Sequence, residues 1–175
     1  MIRLVQTGDR DAFAELYGRY RNGVYDYCMH LLRDRERAGE ALQETFVRAF
    51  AGAQGLRDGG VLRPWLFSIA RNYVFNALRD GKPCDELDES SAVEPGTPYD
   101  AVVQSERSEN LRHLVDRLDP SLRELIVLRE YEELSYAEIA EVTGISQSNV
   151  RLRLFKARKA LAEIFGRNYH KDDVL

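Results

Sequence analysis

A stretch near the middle of the chain, residues 80–104, most limits what this sequence can fold into. It reads DGKPCDELDESSAVEPGTPYDAVVQ and contains three prolines, two glycines and an acidic run, without a sustained apolar period. Such a segment cannot bury enough apolar surface to offset the entropy cost of ordering, so we expect a flexible linker. The sequence therefore predicts two domains, residues 1–80 and 106–175, joined by an acidic linker at residues 81–105.

Both predicted domains show the periodicity of amphipathic helices. Apolar residues recur every three or four positions in residues 13–27 and 38–49, and Asp11 is expected to cap the first of these helices. Residues 63–80 open with a proline near the first turn, while residues 51–60 hold four glycines and predict a loop. Because no alternating apolar run is bounded by hairpin turns, the expected fold is all-α.

Residues 135–154, SYAEIAEVTGISQSNVRLRL, have the spacing of a helix-turn-helix. Gly144 stands where a sharp turn needs a positive φ angle, and Val150 and Leu154 are expected to turn inward from the second helix. In this motif, the exposed N-terminal part of the second helix enters the major groove of duplex DNA. The C-terminal domain is therefore predicted to be a duplex-binding module.

Capping residues mark where the helices of this second domain begin. Asp119 precedes Pro120 at a first helical position, and Ser135 with Glu138 forms a capping-box pair. Ser146 is expected to cap a final helix that ends near residue 165.

Charge is divided sharply within the C-terminal domain. Residues 146–169 hold six basic and one acidic side chain, whereas residues 116–141 hold three basic and eight acidic ones. This division suits a domain with one side toward DNA and another toward a protein, although a solvated basic face is the simpler alternative. The candidates for the groove are Gln147, Ser148, Arg151, Leu152 and Phe155, and those for phosphates are Arg153, Lys156 and Lys159.

The N-terminal domain carries a second candidate site, in RPWLFSIARNYVFNALR at residues 63–79. Aromatic side chains are interleaved there with basic and amide ones, a composition that can stack unpaired bases and hold their backbone. The same aromatics would also make an ordinary core face, so both interpretations remain open on the residues alone. The candidates for contact with a single strand are Arg63, Trp65, Arg71, Asn72 and Asn76.

A third candidate surface lies in GEALQETFVRAF, at residues 39–50. Glu40 and Glu44 stand one helical turn apart, with Gln43 beside them, and the two carboxylates repel each other mildly. The repulsion would be explained by a cationic partner, while a solvated face is the alternative. Gly39 weakens the same helix by up to ~1 kcal/mol relative to alanine.

Four stretches of this sequence together resemble the bacterial sigma factors of the extracytoplasmic-function group. These are DAFAELYGRY, LQETFVRAF, WLFSIARN and, after the linker, LDPSLRELIVLREYEELSYAEIAEVTGISQSNVRLRLFKARKAL. The resemblance covers nearly the whole chain apart from the linker and the last ten residues. A helix-turn-helix alone would be far less specific than these motifs in this order.

The resemblance implies a role for each candidate surface. A first helical domain would bind the clamp of core RNA polymerase and open the −10 promoter element, and a second would read the −35 element and sit on the polymerase flap. Residues 53–62 would form part of a pocket for a flipped −10 base. By similarity, Glu40, Gln43 and Glu44 match clamp contacts, Trp65 and Asn72 match the motif beside that pocket, and Arg151, Leu152, Phe155 and Lys156 match recognition-helix positions. Asn149 stands in the recognition helix where the family frequently has threonine.

The partners that the resemblance implies are core RNA polymerase, promoter DNA and an anti-sigma factor. The anti-sigma factor is expected because most members of the family are held inactive by such a protein. Neither a small-molecule substrate nor enzymatic activity is expected. Cys28 and Cys84 are far apart and the three histidines are scattered, so no metal, disulfide or cofactor is expected. No apolar run approaches the ~20 residues of a membrane span, and the expected compartment is the cytoplasm.

Two other functions fit parts of the sequence. A stand-alone helix-turn-helix regulator would bind a palindromic duplex as a dimer, but it gives no role to Trp65 and Asn72. A sigma-like decoy would only sequester an anti-sigma protein, and the helix-weakening Gly39 is the feature that keeps this alternative open.

Overall fold

The computed structural model of the chain describes residues 2–55, 61–80 and 113–172, and side chains from residue 4 to residue 165 within those ranges. Every regular element in these ranges is helical, as the sequence predicts. The predicted linker at residues 81–105 lies outside the described residues, as do residues 56–60 of the predicted loop and pocket.

In the N-terminal half, the described residues 2–55 and 61–80 form four α-helices. These are α1 (Ile2–Gln6), α2 (Arg10–Leu32), α3 (Arg35–Gly52) and α4 (Leu62–Arg79), with a short 3-10 turn at Ala53–Gly55 after α3. In the C-terminal half, residues 113–172, a helical turn at residues 113–116 precedes α5 (Pro120–Ile126), α6 (Tyr136–Thr143) and α7 (Gln147–Asp172). A π-helical turn, Val127–Tyr131, continues directly from α5.

The start of α2 differs from the sequence prediction. The N-cap is Asp9, whose side chain accepts a hydrogen bond from the Ala12 amide at 2.9 Å, whereas Asp11 lies inside the first turn. Gly8, with φ at 77°, turns the chain just before this cap. The prediction of Asp11 was therefore wrong by two residues, because periodicity places a helix more reliably than it places the end.

The caps of the C-terminal half are confirmed. Asp119 accepts a hydrogen bond from the Ser121 amide at 2.9 Å, ahead of Pro120 at the helix start. Both bonds of the capping box between Ser135 and Glu138 are present. Ser146 accepts from the amide of Asn149 at 3.3 Å, but α7 continues to Asp172, beyond the predicted end near residue 165.

One cluster of buried side chains runs through both halves of the molecule. Tyr27 of α2 and Phe67 of α4 meet edge to face with ring centroids 5.5 Å apart, and both are fully buried. The same cluster includes Leu125 and Leu128 from the C-terminal half. The two helical halves therefore lie against each other and share a core. None of the helices in the described part of the chain is long and apolar enough to cross a membrane.

Candidate nucleic-acid interfaces

The predicted helix-turn-helix is formed by α6 and α7. Ile139 of α6 is fully buried, as are Val150 and, to within one per cent, Leu154 of α7. Gly144 makes the turn between the helices with φ at 72°, a conformation that strains residues with a Cβ atom. This packing fixes one side of α7 in the core and leaves the opposite side in solvent.

The solvent-facing side of α7 carries the residues that the sequence assigns to duplex DNA. Leu152 is 51% exposed and Phe155 is 66% exposed, which is unusual for large apolar side chains surrounded by basic ones. Apolar side chains at such positions are suited to the methyl groups of thymine, and the basic ones to phosphates and guanine edges. All the predicted residues are exposed: Gln147, Ser148, Asn149, Arg151, Leu152, Arg153, Phe155 and Lys156.

Two arginines of α7 have different surroundings. The guanidinium carbon of Arg151 lies 5.7 Å from the ring centroid of Tyr136 on α6, a stacking contact that restrains its direction. Arg158 instead donates a hydrogen bond to Glu130 at 2.6 Å. Arg151 therefore presents its donors to solvent from a supported position, while Arg158 is paired within the protein.

The five candidates on α4 fall on two stripes of that helix. Trp65, Asn72 and Asn76 belong to one stripe, where both asparagines are exposed and Trp65 is half-buried against the core. The Asn76 side chain accepts a hydrogen bond from Arg79 at 3.0 Å. Trp65 is therefore partly packed against the core and partly exposed, so both interpretations of this residue remain open, whereas Asn72 is exposed.

Arg63 and Arg71 form the other stripe, on either side of Phe67, and both contact the C-terminal half. Arg71 donates from Nε to the Glu124 carboxylate at 2.8 Å and stacks on Phe75 with its guanidinium carbon 4.6 Å from the ring centroid. Arg63 donates to the Glu132 backbone oxygen and to its carboxylate, the latter at 3.3 Å. Both arginines are therefore paired with acidic residues in this arrangement of the two halves.

Glu124 is the most buried carboxylate of this interface, and the Tyr27 hydroxyl donates to it at 3.0 Å. Burial raises the pKa of Glu124, and the attraction of Arg71 and the hydrogen bond from Tyr27 oppose that rise. Burial likewise raises the pKa of Glu132, against the effect of Arg63. Tyr27, Glu124 and Glu132 were not among the site residues predicted from the sequence. The sequence signal for Glu124 is the position of this glutamate inside the apolar run LRELIVL.

The three acidic and amide candidates on α3 occupy its outer side. Glu40 and Gln43 are exposed, and Glu44 is half-buried and accepts a hydrogen bond from Arg48 at 2.7 Å. Arg48 therefore offsets part of the repulsion between Glu40 and Glu44. An ideal Cβ at Gly39 would meet no atom within 4 Å, so no close packing requires glycine there.

Comparison with known proteins matches both halves of this structure. The sequence matches the family models described as Sigma-70 region 2, over residues 16–83, and Sigma-70, region 4, over residues 108–161. It is 31% identical to the ECF RNA polymerase sigma factor SigW of Bacillus subtilis, over 91% of this chain and 92% of that protein. It is 32% identical to the RNA polymerase sigma factor CarQ of Myxococcus xanthus, over 92% and 93% of the two chains.

Solved structures show the same fold. CnrH in complex with the cytosolic domain of CnrY superposes with a TM-score of 0.73 at 22% identity, over 95% of each chain. The sigma factor RpoE of Bartonella quintana, in complex with the anti-sigma factor NepR, has a TM-score of 0.69 at 22% identity, over 89% of this chain and 97% of that one.

A helical half matching region 2, followed by a helix-turn-helix half matching region 4, defines a sigma-70-type transcription factor. Since the relatives match over nearly their whole length, the chain belongs to the extracytoplasmic-function family of RNA polymerase sigma factors. It is an alternative sigma factor, a protein that directs promoter recognition and the initiation of transcription.

Proposed function

We propose that this sigma factor binds core RNA polymerase through α3, contacts the melted −10 strand through α4 and reads the −35 duplex through α7. The proposal rests mainly on one observation about α7: every predicted duplex-binding residue is exposed, on the part of this helix that faces away from the helix-turn-helix core. The proposed domains are residues 1–80 and 106–175, joined by the linker at residues 81–105.

Polymerase supplies most of the promoter affinity in this proposal. The chain carries a net charge of −4, so only a local patch on α7 is available to neutralise phosphates. Because each neutralised phosphate adds to affinity through counterion release, a small patch binds free duplex weakly. Contact of one domain with its promoter element then raises the effective concentration of the other domain at the second element.

The outer side of α3 is the proposed polymerase contact. Glu40 and Gln43 are exposed there, and the Glu44 carboxylate lies beside them with one partner, Arg48. Two carboxylates on adjacent turns, one exposed and one half-buried, favour a cationic protein surface, since such a surface removes the repulsion between them.

An anti-sigma factor is the proposed inhibitory partner. The similar sigma factor RpoE of Bartonella quintana was solved with the anti-sigma factor NepR, and CnrH with the cytosolic domain of CnrY. We place the protein in the cytoplasm, where core polymerase transcribes, and assign it no enzymatic activity of its own.

The role of α7 is tested by transcription with core polymerase on promoters that carry single substitutions in the −35 element. Arg151→Ala should relax the preference at one base pair by ~1–3 kcal/mol, because a lost bidentate contact removes discrimination there. Arg158→Ala is the matched control, since it removes the same charge from the same helix at a residue paired with Glu130. An unchanged −35 preference in the Arg151 variant would remove that residue from the duplex contact.

The role of α4 is tested by separating promoter opening from polymerase binding. Asn72→Ala should reduce permanganate reactivity of thymines in the −10 region while polymerase binding stays near that of the parent chain, because Asn72 is exposed. Trp65→Ala tests the strand contact less directly, because Trp65 also packs against the core and its loss would change stability. If Asn72→Ala weakened both steps equally, the assignment of α4 to the melted strand would be wrong.

A further inference from the structure

The start of α6 is held firmly by hydrogen bonds on both sides. Leu134 is fully buried; its amide donates into the π-helical turn at 2.9 Å, and its carbonyl accepts from Arg129 at 2.8 Å. In the capping box, the Glu138 side chain accepts from the Ser135 amide at 2.8 Å, and the Ser135 side chain accepts from the Glu138 amide at 3.2 Å. Tyr136 lies between these bonds, so its side chain leaves the helix from a fixed point.

The Tyr136 ring is shared by arginines from two other elements. The guanidinium carbon of Arg129, in the π-helical turn, lies 5.1 Å from the ring centroid, and that of Arg151 on α7 lies 5.7 Å from it. Both distances are within the ~6 Å over which a guanidinium is attracted to an aromatic face. Because Tyr136 is half-buried and packs against the core, its ring is held in place beside Arg151.

The hydroxyl end of Tyr136 reaches a second basic residue of α7. Arg151 and Arg158 are two helical turns apart and therefore lie on one stripe of that helix. Arg158 donates to Glu130 at 2.6 Å, and its pKa is raised mainly by that bond and to a smaller extent by the Tyr136 hydroxyl. The Tyr136 side chain thus lies along the stripe of α7 to which Arg151 belongs.

This support changes what Arg151 loses when it binds DNA. A long, exposed side chain loses rotational freedom when a base fixes it, and a side chain that is already held in one direction loses less. The charge of Arg129 adds to the restraint, because like charges beside one ring disfavour a rotamer of Arg151 that approaches Arg129 more closely. The direction of the Arg151 guanidinium is therefore restricted before DNA is bound.

We propose that Tyr136 is a positioning residue for duplex readout, which holds the Arg151 guanidinium in the direction in which it binds a base edge of the −35 element. The inference rests on the proposed function of α7. A guanidinium binds a guanine edge with two parallel hydrogen bonds, and this geometry is lost when the guanidinium is turned. Tyr136 touches no base and acts through Arg151. Discrimination at one base pair of the promoter then depends on a residue of α6.

Tyr136→Leu tests the proposal, because it removes the ring and keeps an apolar side chain against the core. Transcription with core polymerase, on promoters with single substitutions across the −35 element, measures the discrimination at each base pair. The variant should reduce discrimination roughly two- to fivefold, the contribution of an exposed cation–π contact, and only at the base pair where Arg151→Ala reduces it. Combining both substitutions should give the same loss as Arg151→Ala alone, because Tyr136 acts through that residue.

Two controls separate the ring from the hydroxyl and from stability. Tyr136→Phe keeps the ring and should retain the discrimination of the parent chain. Tyr131→Leu removes another half-buried tyrosine, whose ring lies 4.6 Å from that of His30, and should affect all promoters alike. The proposal would be overturned if Tyr136→Leu weakened all promoters alike, relaxed a different base pair or added to the effect of Arg151→Ala. Loss of discrimination in Tyr136→Phe would equally overturn the role of the ring.

A measurement on the parent chain covers the case in which Tyr136→Leu does not fold. Nitrogen-15 relaxation of the arginine Nε–H groups reports how far each guanidinium is ordered on the ps–ns timescale. Arg151 should be more ordered than Arg153, an exposed arginine of the same helix that has no ring contact among the described residues. Equal mobility of the two would overturn the positioning role. An ordered Arg151 whose replacement by alanine left promoter preference unchanged would instead overturn the proposed function of α7.

Discussion

Tyr27→Phe tests the buried contact at the centre of the interface. The Tyr27 side chain is fully buried and packs edge to face on Phe67, and its hydroxyl donates to Glu124 at 3.0 Å. Phenylalanine keeps the ring and its packing, so the substitution removes little more than one hydrogen bond to a carboxylate.

The expected cost follows from the partners that remain. A hydrogen bond to a charged group contributes about 1.5–3 kcal/mol, and its loss costs more when the acceptor is left unsatisfied. Glu124 keeps the hydrogen bond from Arg71 at 2.8 Å, so the lower part of that range, about 2 kcal/mol, is expected. With a urea m-value of about 2 kcal/mol per molar, the unfolding midpoint should fall by about 1 M.

The cost should also depend on pH. Burial raises the pKa of Glu124 in the folded chain, so the stability that this group contributes is present at low pH and is lost as the pH rises through the folded pKa. The hydroxyl of Tyr27 favours the ionised carboxylate, and removing it raises the pKa of Glu124 further. The Tyr27→Phe penalty should therefore be larger at about pH 7.5 than at about pH 4.

Urea unfolding followed by circular dichroism at both pH values measures this penalty. Tyr25→Phe is the matched control, because Tyr25 is a half-buried residue of the same helix whose hydroxyl makes no hydrogen bond in the described part of the chain. Equal midpoints for Tyr27→Phe, Tyr25→Phe and the parent chain would refute the Tyr27–Glu124 contact.

Three further substitutions separate stability from function. Gly39→Ala should raise the free energy of unfolding by up to ~1 kcal/mol in thermal melts, because no packed atom opposes a Cβ there; a lower melting temperature would show a contact that the structure lacks. Leu154→Ala should lower the free energy of unfolding by about 2–5 kcal/mol, because Leu154 is buried. Leu152→Ala should change the free energy of unfolding by less than about 0.5 kcal/mol, because Leu152 is exposed, and it should alter promoter preference instead. Equal destabilisation by these two α7 variants would contradict the orientation of that helix.

The parts of this fold that the sequence predicts are those set by local rules. The capping box of Ser135 and Glu138 and the positive φ of Gly144 depend on neighbouring residues, and both are confirmed. Val150 and Leu154 are buried, as the helical period predicts. The start of α2 was misplaced because Asp9 and Asp11 are equally good capping residues, and residue type alone does not distinguish them; in the structure the chain turns at Gly8, just before Asp9.

The interface between the halves was beyond sequence reasoning for a physical reason. Tyr27 and Glu124 are separated by 97 positions in the chain, and no local pattern links a tyrosine in one helix to a glutamate in another. The approach of Glu132 to Gly23 is equally long-range, because an ideal Cβ at Gly23 would lie 2.5 Å from a carboxylate oxygen of Glu132. For the same reason, the sequence showed the five α4 candidates as one group, while the structure divides them between an exposed stripe and a stripe paired with carboxylates.

The assignment of this protein as a promoter-specific sigma factor is tested by transcription with sigma-free core polymerase, to which the protein and a fragmented genomic template are added. We expect discrete transcripts that begin downstream of a shared pair of −10 and −35 sequences and that disappear when the protein is omitted. Transcripts that are absent, or that are the same with and without the protein, would contradict it.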